Sequence, residues 1–348
     1  MTDRTLYLQH LKLEQNEAST KALAMRHTDI LLSFVGWEER STEIVKSQTT
    51  ADQSVLYRFE GTQSITKKMQ NSKTLEKWLE KNKTNCSTIV GSSSIETQEN
   101  FEKLKTYLLS KFNELGRPFS MTVDISCCPK SYISFLIAYS FSQNIIGRLS
   151  FYYAHTDYKS KSKATRNSTD AVFKFTEGDW NTVQIPYLEG NYKPSFLRKL
   201  IVLMGAESNA TENFLKRYQP DRTALIVPRP GVTEVIDAAV KASANSLKRR
   251  LEIPNSRVAE VGPQDAVGAA EACSQLAKPE NNVDTSFVCL GTKPHCIGAA
   301  LTCLVRSELT MICRSPRGYQ HTPGVPNGRS SVYHIQDLSN PAFSSAVS

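Results

Sequence analysis

Apolar runs and charged, helix-length segments alternate along this chain from Thr28 onward. Continuous apolar stretches bounded by turn residues mark buried strands, and "DILLSFVG", "SVLYRFEG", "STIVGSS", "SMTVDIS" and "LSFYYAHT" are five of them. Between them lie a helix start at "EERSTEIVKSQ", the charged amphipathic segment "SITKKMQNSKTLEKWLEKN", the helix "TQENFEKLKTYLLSKFNEL" and the apolar helix "SYISFLIAYSFSQ". A late strand is predicted at "AVFKF" (171–175), and "TLYLQHLKL" reads as an edge strand before the first core strand. The order returns from Lys199, with strands "TALIVP", "RVAEVG", "TSFVCLG", "LTMICRS" and "SVYHI", and helices that include "EVIDAAVKASANSLKRRLE" and "HCIGAALTCLVRS".

The two halves share landmarks as well as rhythm. "SFVGWEERSTEI" (33–44) aligns with "VLMGAESNATEN" (202–213), which pairs Gly36 with Gly205, Glu38 with Glu207, Thr42 with Thr211 and Glu43 with Glu212, each pair 169 residues apart. An internal repeat sets the architecture before any motif is considered. The expected fold is α/β: two tandem Rossmann-like repeats related by internal duplication, each a mainly parallel, doubly wound sheet with right-handed crossovers. "EGNYKPS" (189–195) reads as the linker, so the domains are set at 1–188, with its N-terminal lead-in, and 189–348. Two such lobes predict a pseudo-two-fold site between them.

Composition narrows the class. A chain of 348 residues is long enough for two cores, and 40% hydrophobic with 22% charged residues is ordinary for a globular protein. No apolar run is long enough to span a membrane, and the first residues lack a signal-peptide core; the expected location is cytoplasmic. The eight cysteines include no Cys-x-x-Cys pair. Cys289, Cys296 and Cys303 are spaced as small apolar core residues, and no metal or cofactor site is expected. The net charge of +8 favours an anionic partner, with local concentrations at 159–166, 248–250 and 314–318.

In doubly wound sheets ligands sit beyond the carboxyl ends of the strands. Strand one ends in Gly36-Trp37-Glu38 in one half and Gly205-Ala206-Glu207 in the other. Each glutamate either complements a helix N-terminus or binds a ribose hydroxyl. Neither half carries the G-x-G-x-x-G or Walker pattern. Strand four of the first half ends in Asp124-Ile125-Ser126-Cys127-Cys128-Pro129-Lys130. A hydroxyl, a lysine and a helix start make a phosphate cradle; the alternative is a helix cap with Ser126 as N-cap and Asp124 facing the core. The matching loop, Gly291-Thr292-Lys293-Pro294-His295, offers a hydroxyl and a cation again. Strand five adds Tyr158 in one half, and Arg314, Arg317 and Tyr319 in the other. Aromatics beside cations stack bases and neutralise phosphates, although a tyrosine alone also reads as core.

Asp124-x-Ser126-x-x-x-Lys130 resembles the signature after strand four in the CRISPR-associated Rossmann-fold (CARF) family, and the doubled unit is similar to the SAVED sensors. The resemblance covers about residues 28–338. It implies binding of a cyclic oligonucleotide, with Ser126 and Lys130 as ligand contacts and Asp124 structural. The second half departs from the signature, with Cys289, Gly291 and His295 at the three positions. Family members usually carry an effector domain, for which no length remains here, so a separate effector protein is expected. The leading expectation is a sensor or regulatory module of a prokaryotic antiviral defence system that binds a cyclic oligonucleotide or other phosphate-bearing ligand, alone or as a homo-oligomer. Two alternatives stand: a metal-independent ring nuclease in which Ser126 and Lys130 position the scissile phosphate, and a scaffold or nucleic-acid-binding subunit.

Overall fold

The computed structural model describes residues 3–23, 25–61, 64–93, 97–158, 176–319 and 324–340. The chain divides into two compact units, one formed by 1–157 with 323–348 and the other by 158–322.

The first unit is built on an eight-stranded sheet. A hairpin of β1 (Arg4–Leu8) and β2 (Leu11–Ser19) precedes β3 (Thr28–Val35), β4 (Ala51–Phe59), β5 (Asn85–Gly91), β6 (Phe119–Asp124) and β7 (Ile146–Tyr158). The strands from β3 to β7 are mutually parallel. A 3-10 segment (Glu39–Lys46) and the helices α1 (Ile65–Lys81), α2 (Thr97–Leu115) and α3 (Lys130–Ser142) connect them. Leu31, Val35, Leu56, Leu75, Leu79 and Tyr152 form one apolar cluster. Elsewhere Phe101 of α2 stacks on Phe135 of α3 with centroids 4.3 Å apart. All residues of α3 from Ser131 to Phe141 are buried, as its lack of a polar face requires.

The second unit holds a six-stranded sheet of β8 (Thr176–Gln184), β9 (Leu197–Leu203), β10 (Arg222–Pro228), β11 (Val258–Val261), β12 (Val283–Cys289) and β13 (Thr310–Tyr319). Strands β9 to β13 are parallel, and β8 runs antiparallel along β13. Helices α4 (Ser208–Tyr218) and α5 (Glu234–Arg250) contribute Phe214, Leu215, Ile236, Val240 and Leu247 to one core cluster. Helices α6 (Ala266–Leu276) and α7 (Lys293–Val305) pack against each other at small residues; a Cβ on Gly298 of α7 would lie 2.6 Å from the Ala270 nitrogen of α6. Cys289, Cys296 and Cys303 are buried, as their apolar spacing predicts, and so is Cys273; burial raises the thiol pKa values of Cys273 and Cys303 well above the ordinary value.

The two sheets have the same strand order. The eight-stranded sheet runs β1-β2-β14-β7-β6-β3-β4-β5, with β14 at Gly324–Asp337, and the six-stranded sheet runs β8-β13-β12-β9-β10-β11. Each core therefore has the third-second-first-fourth-fifth order of a doubly wound fold. In the place of a sixth strand, the eight-stranded sheet takes β14 from near the end of the sequence, and the six-stranded sheet takes β8, which the expected division had put in the first repeat. The strand containing "SVYHI", expected in the second repeat's sheet, belongs instead to the eight-stranded sheet, where β14 pairs with β2. The division expected at 188/189 accordingly gives way to the discontinuous one.

The expected linker at 189–195 lies within the second unit. It is fastened there: the Thr310 hydroxyl donates to the Glu189 carbonyl at 2.9 Å, and the Lys193 N–H donates to Asp284 at 2.5 Å. The expected strand at 171–175 and the basic run at 159–166 lie outside the described residues. Among the described residues, no helix is long and apolar enough to cross a membrane.

Candidate functional site

In the first unit, β3 and β6 end side by side. Beyond β3, the Gly36 N–H donates to the Ser41 hydroxyl at 3.0 Å, and the Asn71 amide of α1 donates to the carbonyls of Gly36 and Glu38 at 2.9 and 3.0 Å. Gly36 is required by the neighbouring loop: a Cβ there would lie 2.5 Å from the Cys127 sulfur. Glu38 stands at the N-cap of the 3-10 segment without capping it. Its carboxylate is held instead by Arg40, with Nε 2.5 Å from Oε2. The Arg40 guanidinium also lies 5.9 Å from the centre of the Tyr153 ring. A carboxylate engaged in this way is a poor ribose ligand; the pair closes the β3 end.

The loop after β6 answers the choice between a phosphate cradle and a cap differently for its two polar residues. Ser126 is fully buried. Its N–H donates to Asp124 Oδ1 at 2.8 Å, and its hydroxyl accepts the Ala154 N–H of β7 at 3.0 Å. It thus stitches the loop to the neighbouring strand and is removed from ligand contact. Nor is it the helix cap, since Pro129 holds that position. Asp124 is structural, as expected. Lys130 opens α3 and is partly exposed.

The second unit repeats the arrangement with different contacts. Gly205 and Gly291 face each other's strands: a Cβ on Gly205 would fall within 3.0 Å of the Leu290 carbonyl oxygen, and one on Gly291 equally close to the Met204 carbonyl oxygen. Glu207 stands at the N-cap of α4, and its Oε1 accepts both the N–H and the hydroxyl of Thr176, at 3.0 and 2.8 Å. It ties α4 to β8. Thr292 is the N-cap of α7, accepting the His295 N–H at 3.3 Å. His295 is fully buried, with Nε2 2.8 Å from the Gly262 carbonyl, so it is an interior residue and no ligand contact. Lys293 opens α7 and is partly exposed.

At β13, Arg314 is buried against Phe214 of α4, 5.1 Å from the ring centre, and donates to the Thr182 hydroxyl at 2.9 Å. Arg317 is exposed. The side chains of Tyr158 and Tyr319 lie outside what is described.

Thus each unit sets its glycine turn against the loop that leads into its helix-opening lysine, while Ser126 and His295 are withdrawn inside. The sequence reading missed Arg40, Asn71 and Tyr153. Arg40, two residues after Glu38 in a helix start, is the one with a local signal.

Among the described helices, α1, α3, α4, α6 and α7 have no acidic residue in the first turn. A helix N-terminus is already positive, and stability favours a carboxylate there. α5 follows that preference with Glu234 and Asp237. α3 and α7 each open on a lysine instead, and α1 likewise carries Lys67 and Lys68 in a first turn without acids.

No protein-family model and no curated protein matches the chain. Among solved structures, it is similar to a functionally unknown protein from Pseudomonas aeruginosa PAO1, at 9% identity and a TM-score of 0.23 over 83% of this chain and 93% of the other. It is also similar to a putative universal stress protein from Pseudomonas aeruginosa UCBPP-PA14, at 11% identity and a TM-score of 0.23 over 83% and 94% of the two chains.

Proposed function

We propose that this chain is a sensor or regulatory module for a nucleotide-type anion, a cyclic oligonucleotide in a prokaryotic antiviral defence system, and that it acts on a separate effector. The observation that carries the anion-binding part is the lysine at the start of α3 and of α7, with no acid in either first turn. Backbone N–H groups and a cation at one helix start are suited to phosphate oxygens. The shared strand order of the two sheets supports duplication of one βα unit. The cyclic ligand and the defence role come from the sequence resemblance alone. The ring-nuclease alternative loses one of its two positioning residues, because the Ser126 hydroxyl is buried and accepts a backbone N–H.

The test is a thermal-shift screen against cyclic di-, tri-, tetra- and hexanucleotides, with mass spectrometry of each ligand afterwards. The reading expects a shift with the ligand intact, lost in the Lys130→Ala/Lys293→Ala variant. No shift across the panel, or an unchanged shift in that variant, refutes it. Linear products would move the assignment to an enzyme.

A further inference from the structure

We propose that Arg314 and Arg217 form an anion site within the second unit that takes a phosphate group. The site rests on the reading above for its class of ligand, and on different residues for its place.

Arg314 follows Cys313, the last residue of β13 in register with β12, so it stands at the carboxyl edge of the parallel strands. Its side chain lies on the face that carries Ile312, Phe214 and the rest of that core cluster. Partly buried Trp180 of β8 packs against the same cluster. Arg314 is 8% exposed. One guanidinium nitrogen donates to Thr182, the group lies over Phe214, and Nε is buried without a hydrogen bond. No carboxylate forms an ion pair with it among the described residues. Asp179 acts on it only through space, and Arg217 opposes it; burial and Arg217 together lower its pKa.

Arg217 lies three residues after Phe214 on α4, on the same side of the helix. It is exposed, and among the described residues it too has no carboxylate partner. Two guanidinium groups that act on each other, one of them buried and neither in an ion pair among the described residues, are unfavourable unless an anion joins them. A cation–π contact offsets part of that cost but leaves the charge uncompensated. Guanidinium groups match phosphate oxygens through paired N–H donors. The Phe214 ring under the guanidinium keeps the site partly dry, which strengthens such bonds.

The test uses the full chain and inorganic phosphate, titrated calorimetrically at constant ionic strength against chloride. Wild type is expected to bind saturably. Arg217→Gln should weaken binding about tenfold, as loss of one charge-assisted hydrogen bond implies. Arg217→Glu should abolish binding and, by giving Arg314 a carboxylate, raise the melting temperature of the ligand-free protein. Because Arg217 is exposed, neither change disturbs the core.

Absence of saturable binding in wild type overturns the proposal. So does binding that survives Arg217→Glu. If binding survives Arg217→Glu but is lost in Lys130→Ala/Lys293→Ala, the arginine site fails and the helix-start reading stands. If binding is lost in Arg217→Glu and kept in the lysine variant, the arginine site stands without the helix starts.

Discussion

Gly36→Ala should destabilise the first unit by about 1–3 kcal/mol, the usual cost of forcing a methyl group into a filled space. The added Cβ would lie 2.5 Å from the Cys127 sulfur and 2.6 Å from its Cβ. Ordinary carbon contacts need roughly 3.5–4 Å, so one loop must retreat by about 1 Å. Neither can do so cheaply. Gly36 is held through its N–H by Ser41 and through its carbonyl by Asn71. Cys127 lies between Ser126, which is bonded to Asp124 and β7, and buried Cys128. Because the obstruction is a side chain, Cys127→Gly should relieve it. In the Cys127→Gly background the Gly36→Ala cost should fall close to zero, a coupling of at least about 1 kcal/mol. The assay is guanidinium denaturation followed by tryptophan fluorescence in a Trp180→Phe background, which leaves Trp37 and Trp78 to report on this unit. A Gly36→Ala cost under about 0.5 kcal/mol, or a cost that persists in the Cys127→Gly background, would refute the reasoning. Gly205→Ala differs in kind: its obstruction is the Leu290 carbonyl, so no side-chain change there should rescue it.

Three further outcomes follow from the contacts. Ser126→Ala leaves the Ala154 N–H without its buried acceptor, and should cost about 1–3 kcal/mol in urea denaturation. Thr292→Ala removes the α7 cap and should cost about 1 kcal/mol in the second unit by the same measurement. Stability should also fall on acidification. Burial first, then Arg26 and Arg148 against the opposing pull of Glu14, holds His334, which is bonded to Ser150, at a pKa of about 4. Burial and Arg329, opposed by Asp157, hold His155, which is bonded to Ser331, at about 4 as well. Each stays neutral in the folded state while its unfolded counterpart, with a pKa near 6.5, takes up a proton. Stability is therefore full above about pH 6.5 and declines toward pH 4, by at most about 1.4 kcal/mol per pH unit for each histidine. Denaturation midpoints at about pH 7 and pH 5 should differ, and the difference should shrink in His334→Gln.

The parallel core was legible because its signal is local. β3, β6, β9, β10 and β12 are continuous apolar runs, and the segments between them have helical length. What hid was sheet membership beside β7 and β13. β14 begins with "GVPNGRSS" and β8 is "TEGDWNTVQ"; such mixed polar patterns mark a strand without saying which sheet takes it. That is settled by pairing over long separations: Ser330 lies 178 residues from its partner Tyr152. A linear repeat reading therefore assigns β14 to the half of the sequence that encodes it, and misses the sheet that holds it.

The same distinction separates the two kinds of candidate site residue. The place of Lys130 and Lys293 was legible because each stands at the first residue of a helix, and a helix start is written in adjacent residues. Ser126 and His295 were misread because a hydroxyl or an imidazole gives no local sign of whether it will meet a ligand or the backbone. The partner of Ser126 is Ala154, 28 residues on, and that of His295 is Gly262, 33 residues back. Arg314 is the informative mixed case. Its type and place at a strand end suggested an anion contact, yet its burial resembles that of Ser126 and His295. It differs from them in how its polar atoms are satisfied. Ser126 and His295 bond backbone groups that need partners of their own, whereas Arg314 brings in a full charge with, among the described residues, a single hydroxyl acceptor. A buried hydroxyl is settled by one good hydrogen bond; a buried guanidinium is not. That inequality keeps Arg314 among the binding candidates while Ser126 leaves them; His295 leaves them because it is fully buried against the Gly262 carbonyl.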